Sequence, residues 1–347
     1  MKDRGSRPVA LCCGSLVSRK INDVALRDRR EFALAGTARH TRGAPSHRSV
    51  MRPTLLVVMA AVLTAPASAQ FASVRVQVVD VGQGDGILIR TPNRNWVLID
   101  AGTNNTLATN LGPVFGVNRL ALVIVSHRHG DHYAGTAYVL DTYPVDRFIG
   151  NLADCPNRST DNTIRATLTD RGIPAQSVGA DTLLVDGVTF TVLPPDPTTD
   201  PCPDQENDNS IVVRLDYGQF SMLFTGDAEV AERTWLMANH PDLLDVEVLK
   251  ASHHGGDNGV LDSGGHADAW LDAVSPLYVV ISAGVNANYG HPMPEAVAAY
   301  VARVGTTKVV CTNRHQTVTI YGHSSGSVTI HRQHPDTQSC VYDGTHY

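Results

Sequence analysis

Charge is scarce in this sequence: Asp, Glu, Lys and Arg together make up 18% of 347 residues, and aromatic residues only 6%. No apolar run approaches the ~20 residues that a membrane-spanning helix needs. There is no repeat of fixed short period and no low-complexity tract. With 42% hydrophobic residues the chain is nonetheless rich enough to build a core, so fibrous, disordered and polytopic classes are excluded. Basic residues are sparse beyond residue 70. Residues 71–347 carry 16 Lys and Arg against 30 Asp and Glu, a net charge of −14, whereas residues 1–70 carry a net +8. A domain so acidic presents no general field for polyanions, and long nucleic acid is not an expected partner. Cysteine is also rare, and no C-x-x-C pair occurs, which argues against a structural zinc site. Cys12 and Cys13 lie in the basic leader, leaving Cys155, Cys202, Cys311 and Cys340. Four cysteines allow three pairings. Cys155–Cys202 and Cys311–Cys340 are the expected ones.

What the leader does contain is informative. Met51-Arg52-Pro53 precedes the apolar run Leu55 to Leu63, and Ala67-Ser68-Ala69 follows. A basic start, a short apolar core and an A-x-A end describe a secretory signal peptide over 51–69, cleaved before Gln70. Residues 1–50 are expected to be a non-native or disordered extension, residues 70–335 one hydrolase domain and 336–347 a tail. The expected location is periplasmic or secreted, with no membrane span in the mature chain, which agrees with disulfide formation.

From Ser73 onward the pattern is strand-rich. Val74–Val81, Ile87–Arg90 and Trp96–Asp100 read as an antiparallel meander broken by Gly82-Gln83-Gly84-Asp85-Gly86. Leu120 to Ser126 is a continuous apolar run, the mark of a strand buried on both faces. Helices are predicted over Tyr133–Tyr143, Thr160–Arg171, Ala228–Asn239, Ala267–Ala273 and Pro294–Val304. Hairpins are predicted at Asp186-Gly187 and Tyr217-Gly218. The second half alternates strands (Val246–Ala251, Tyr278–Ser282) with helices before three closing strands. This order implies one α/β domain of two sheets with helices outside.

The chemistry centres on Ser126-His127-Arg128-His129-Gly130-Asp131-His132. Three imidazoles and a carboxylate leave one strand end within six residues, and a loop there can turn them toward one point. Such donors suit zinc, or manganese or iron with more oxygen ligands. H-x-H-x-D-H after a strand resembles the signature of metallo-β-lactamase-fold hydrolases. Four further segments narrow the resemblance. They are Asp80-Val81-Gly82-Gln83-Gly84-Asp85, Thr225-Gly226-Asp227, Lys250-Ala251-Ser252-His253-His254-Gly255, and Asn288-Tyr289-Gly290-His291-Pro292. Together they are similar to the hydrolase domain of ComEC-type competence proteins, over roughly Ser73 to His331. No long apolar segment follows the leader, so the channel of those proteins, and with it a role in DNA uptake, is not carried over.

The resemblance implies an αββα sandwich of two mixed sheets and two divalent metal ions, zinc foremost, with manganese or iron as alternatives. His127 and His129 would hold one metal, Asp131 and His132 the other, and Asp227 both. His253 or His254 would complete the second metal; the pair is not separable by sequence, and His253 is preferred as ligand with His254 behind it. Between His132 and Asp227 no histidine occurs, where many family members supply one; Asn207, Asp208 or Asn209 is the expected substitute. Asp131, Lys250, His254 and His291 are the candidate catalytic groups, with Lys250 and His291 steadying an anion or protonating a leaving group. Gln83 and Asp85 are expected near the metals, and the glycines between them to serve backbone conformation. Two cations acidify a water and suit in-line displacement at phosphorus. The expected function is therefore hydrolysis of a small-molecule or short phosphodiester. Lactone or β-lactam hydrolysis is the alternative, and a non-catalytic metal-binding module a third reading.

Overall fold

The computed structural model describes residues 73–341 and 343, apart from 157–158, 178, 203–205, 285–288 and 336–338. The extension and the signal peptide expected from the sequence, and Asn288, lie outside the described residues. The first strands are β1 (Ser73–Val78), β2 (Gly86–Arg90), β3 (Trp96–Ala101), β4 (Leu122–Ile124), β5 (Phe148–Gly150) and β6 (Ala175–Ser177). The second group is β7 (Asp181–Val185), β8 (Val188–Leu193), β9 (Val212–Tyr217), β10 (Phe220–Phe224), β11 (Val248–Lys250), β12 (Tyr278–Ile281) and β13 (Val309–Cys311). The chain then returns through β14 (Val318–His323) and β15 (Val328–Arg332) to the first sheet. The sheet orders are β15-β14-β1-β2-β3-β4-β5-β6 and β13-β12-β11-β10-β9-β8-β7. Each sheet is antiparallel on one side and parallel on the other, β3 through β6 in the first and β10 through β13 in the second.

Alternation explains the layering, because successive strand residues face opposite sides. Val74, Val76 and Val78 of β1 turn inward with Val318 and Ile320, and meet Phe190, Met222 and Phe224 of the second sheet in a central core. Leu98 and Val123 turn outward onto Leu107, Val139, Leu140 and Ile164 of the helices outside the first sheet. Leu249 and Val279 do the same on the second sheet, beneath Leu236, Trp270 and Tyr300. The result is the expected helix–sheet–sheet–helix order. The run Leu120–Ser126 is buried on both faces as expected, although only Leu122–Ile124 pairs as a strand.

Three local differences stand out. The predicted helix Tyr133–Tyr143 is two pieces, Gly130–Tyr133 and Thr136–Thr142. A Cβ at the intervening Gly135 would lie 2.6 Å from the Ala101 carbonyl oxygen, so the chain turns against β3 there. The short helix Thr106–Asn110 and edge strand β6 have no periodic signal in the sequence. The three closing strands form as expected, but a helical turn, Thr312–His315, intervenes between β13 and β14 beside the Cys311–Cys340 bond. Both expected disulfides are formed.

Candidate metal centre

Parallel strands deliver their C-terminal ends to one edge, where open α/β sheets bind ligands. At this edge β3 carries Asp100 next to its last residue, Ala101, β4 leads into His127–His132, β10 into Asp227, and β11 into His253 and His254. Two glycines allow the loops to meet. A Cβ on Gly84 would lie 2.2 Å from the Asp131 carbonyl oxygen, and one on Gly226 would lie 2.9 Å from the Ser126 Cβ. Both glycines also have positive φ, +129° and +50°, which side chains disfavour. The glycine-rich turn after β1 therefore packs on the metal loop, its Asp85 amide donating to the Asp131 carbonyl at 3.1 Å.

Two donor groups result. His127, His129 and Asp227 form one, and Asp131, His132 and His254 the other, each with its ligand atoms within 4.8 Å. Asp227 Oδ2 lies 3.8 Å from His127 Nε2, 3.2 Å from His132 Nε2 and 3.4 Å from His254 Nε2, so one oxygen faces both groups. Its other oxygen, Oδ1, is buried without a hydrogen-bond partner. A third group, Cys311, His315 and Cys340, is not a metal cluster because its two sulfurs are bonded to each other.

The opposite ring edges are occupied by acceptors, and this fixes the tautomers. His132 Nδ1 lies 2.9 Å from Asp100 Oδ2, and His254 Nδ1 2.9 Å from the Ser282 carbonyl oxygen. Ser126 Oγ donates to Asp100 Oδ2 at 2.7 Å and so accepts from His127 Nδ1 at 3.1 Å. In each neutral ring the proton sits on Nδ1 and the Nε2 lone pair points into the centre. That is the outer-layer arrangement that orients metal-binding histidines. His132 Nε2 and His254 Nε2 face each other at 3.2 Å, an approach that requires a cation or a proton between lone pairs. The donor set, its orientation and the unpartnered Asp227 oxygen all fit divalent metal ions.

Without a metal, protons take that place. Burial disfavours charge on His132, but Asp227 and then Asp100 outweigh it and hold the imidazole well above its ordinary range. His254 is likewise raised, against burial, to about 9 by Asp227 and Asp131. Asp227 is held well below the usual carboxylate range, despite burial, by these two histidines. His127 moves the other way, depressed by burial and by the charge on His132.

The structure reverses the expected order of the adjacent pair. Both residues adopt left-handed backbone, φ +46° at His253 and +53° at His254, a conformation costing ~1–2 kcal/mol per residue. This turn sends His254 into the second donor group and leaves His253 at the rim, its Nε2 3.9 Å from Asp227 Oδ2. His253 Nδ1 is held by Asn258 Oδ1 at 2.9 Å and Glu229 Oε1 at 3.2 Å. Lys250 also needs correction. It is fully buried beneath the site, its ammonium against Asp85 Oδ2 and 3.3 Å from the Gly226 carbonyl oxygen, so it does not face substrate.

His291 and Gln83 do line the cavity with His129 and Asp131. The His291 Nδ1 is buried without a hydrogen-bond partner, and burial followed by His253 depresses its pKa to about 4. Of the three candidates for the missing histidine, Asp208 is taken up in accepting the Glu229 and Glu232 amides, both at 3.1 Å. Asn209 is buried and donates to the Asp200 carbonyl. Only Asn207 lines the cavity, its Nδ2 on Glu229 and its Oδ1 buried without a partner. Asp100, Glu229 and Asn258 escaped the sequence reading. An aspartate near the end of a buried strand, shortly before a glycine, was the available signal for the first, and none distinguishes the other two.

Known proteins to which this chain is similar include competence proteins. ComE operon protein 3 of Bacillus subtilis is 26% identical over 239 residues, covering 62% of this chain and 29% of that protein. Competence protein ComA of Neisseria gonorrhoeae is 30% identical over 220 residues, covering 62% and 28%. The chain thus spans less than a third of the length of these curated relatives. Among solved structures, the metallo-beta-lactamase fold protein YhfI from Bacillus subtilis aligns with TM-score 0.47 and 14% identity over 74% of this chain and 100% of that one. Residues 79–281, more than half of the chain, match the metallo-beta-lactamase superfamily, and the chain belongs to it.

Proposed function

We propose that this protein is an exported, metal-dependent phosphodiester hydrolase. The observation that carries the reading is the pair of donor groups facing one carboxylate oxygen, Asp227 Oδ2, with each buried imidazole pinned through Nδ1. His127, His129 and Asp227 would hold one ion, Asp131, His132, Asp227 and His254 the other, and Asn207 Oδ1 would stand in for the absent histidine. Two divalent ions, zinc foremost and manganese or iron as alternatives, would supply an acidified water and a polarised phosphoryl oxygen. Asp131, whose side chain is 30% exposed and lines the cavity, would orient the attacking water. His291 is neutral at pH 7 and offers a hydrogen bond, not a charge, to the leaving oxygen. Export is supported by the leader pattern and by two disulfides, bonds that persist in oxidising compartments. No helix among the described residues is long and apolar enough to cross a membrane.

Purified protein loaded with zinc or manganese should cleave bis-p-nitrophenyl phosphate, and chelator should abolish the rate. Elemental analysis should find about two metals per chain. Asp227→Ala should lose more metal than any other single ligand change, and His254→Ala should lose one ion, whereas His253→Ala should keep both. Turnover of a lactone or β-lactam with no phosphodiesterase activity under any metal would refute the reading.

A further inference from the structure

The cavity over the donor groups has a volume of about 650 Å³, and among the described residues no lysine or arginine lines it. Cations are close at hand but committed elsewhere. The Lys250 ammonium is buried against Asp85. Arg128, between His127 and His129 in sequence, turns away from the cavity and pairs with Asp161 at 3.1 Å and Glu206 at 3.0 Å. The cavity wall beyond the ligand candidates instead carries two carboxylates, Glu229 and Asp257, and the ring of Tyr289. Tyr289 is 68% exposed, with its ring centroid 6.0 Å from that of His291 at the mouth. Three residues that line this cavity each have a buried polar atom with no hydrogen-bond partner: Nδ1 of His291, Oδ1 of Asp227 and Oδ1 of Asn207.

From this we infer that the site takes phosphodiesters bearing a single negative charge, at the scissile phosphate, with a neutral or cationic second arm, and discriminates against arms that carry further phosphates. The inference rests on the phosphodiester reading and deepens it. The metals would neutralise one phosphate. Anything attached to that phosphate must then lie along a wall that supplies carboxylates and an aromatic face and, among the described residues, no lysine or arginine. Glu229 Oε1 lies 3.2 Å from His253 Nδ1 at this wall. A quaternary or primary ammonium on the second arm gains from the carboxylates and from the tyrosine face. A second phosphate meets like charge at short range. Such repulsion amounts to roughly tenfold in affinity per added charge at the effective dielectric of a protein surface.

Four p-nitrophenyl diesters with one common leaving group test this. Their second arms are choline, its uncharged isostere 3,3-dimethylbutanol, thymidine through its 5′-oxygen, and 3′-phosphorylated thymidine. On the metal-loaded protein, kcat/KM for the choline arm should exceed that for dimethylbutyl by about threefold to tenfold. The added 3′-phosphate should lower it by about tenfold. Asp257→Asn, which keeps the oxygen that accepts the Ala296 amide at 3.2 Å, and Glu229→Gln should each move both ratios toward one. Calorimetric binding of phosphocholine against 3,3-dimethylbutyl phosphate gives a readout independent of turnover. Equal rates for the choline and dimethylbutyl arms, or a 3′-phosphorylated substrate cleaved as well as its parent, would overturn the inference while leaving the phosphodiester reading intact. If no diester is cleaved, that reading fails, and the binding ratio decides: phosphocholine tighter supports the charge selection, equal binding overturns it.

Discussion

The Lys250 ammonium and the Asp85 carboxylate are both buried beneath the centre, and each is the reason the other can be there. Asp85 Oδ1 lies 3.6 Å from His254 Nδ1, and its Oδ2 lies 3.8 Å from His132 Nδ1. Lys250 thus holds, at one remove, a carboxylate that lies against two ligand candidates. Removing one member of a buried pair leaves the other charge uncompensated and costs about 3–5 kcal/mol, whereas replacing both is far less damaging. Lys250→Met alone should therefore destabilise the fold by about that amount. Asp85→Asn together with Lys250→Met should recover most of the stability, yet bind metal about 10–100-fold more weakly, the usual effect of losing an outer-layer partner. Chemical denaturation and metal titration of the two variants beside the parent protein separate the two effects. A double variant no more stable than the single one would show that the pair is not the reason for the burial.

At the scale of elements, the H-x-H-x-D-H loop is fastened from outside by a neighbour that the sequence hides. Arg128 donates to Asp161 Oδ2 (3.1 Å), Glu206 Oε1 (3.0 Å), the Pro201 carbonyl (2.6 Å) and Cys155 Sγ (2.9 Å). Cys155, Pro201 and Glu206 come from the two loops that Cys155–Cys202 joins across 47 residues, Asp161 from the first turn of the helix Ser159–Asp170, and Asn207 follows directly after Glu206. Closing a loop of that length is worth up to ~4 kcal/mol in the chain-entropy account. Arg128→Lys keeps the charge but loses the planar fork. It should weaken metal binding at the His127–His129 site, by about tenfold or more, while sparing the site with His132 and His254. Cys155→Ser with Cys202→Ser should do the same; stepwise cobalt titration followed by absorption spectra reads it, and equal loss at both sites would refute the clamp. The ligand loop itself was legible because strand and motif are contiguous: a run of apolar residues ending in clustered donors needs no tertiary knowledge. So were the outer strands and helices, whose periodicities of 2 and 3.6 follow from burial on one face. The choice between His253 and His254 was not legible, since it depends on consecutive left-handed residues, and neither was the fate of Lys250, whose partner lies 165 residues away in sequence. Asn207 was separable from Asp208 and Asn209 only once the helix that Asp208 caps had a position.

For the whole molecule, the centre joins stability to pH in opposite senses with and without metal. In the metal-free protein His254 titrates near 9, raised against burial by Asp227, while an unfolded histidine titrates near ~6.5. A raised folded pKa contributes stability fully below the unfolded value and loses it as pH climbs through the folded one. His132, also raised, adds in the same direction. Metal-free protein should therefore lose stability between pH 6.5 and 9. Metal binding needs the same Nε2 lone pairs, so it releases protons at pH 7 and tightens as pH rises. Loaded protein should hold or gain stability over that range. The difference in Tm between loaded and chelated protein should then widen by about 5 °C or more from pH 6.5 to 9, taking roughly 2 °C per kcal/mol for a domain of this size. Calorimetry in buffers of different ionisation enthalpy should register the released protons directly. A Tm gap that stays constant with pH, or metal uptake at pH 7 without proton release, would mean that His132 and His254 are already neutral in the empty centre. The acidic shell of Asp85, Asp100 and Asp227 would then not be holding protons where the metals belong.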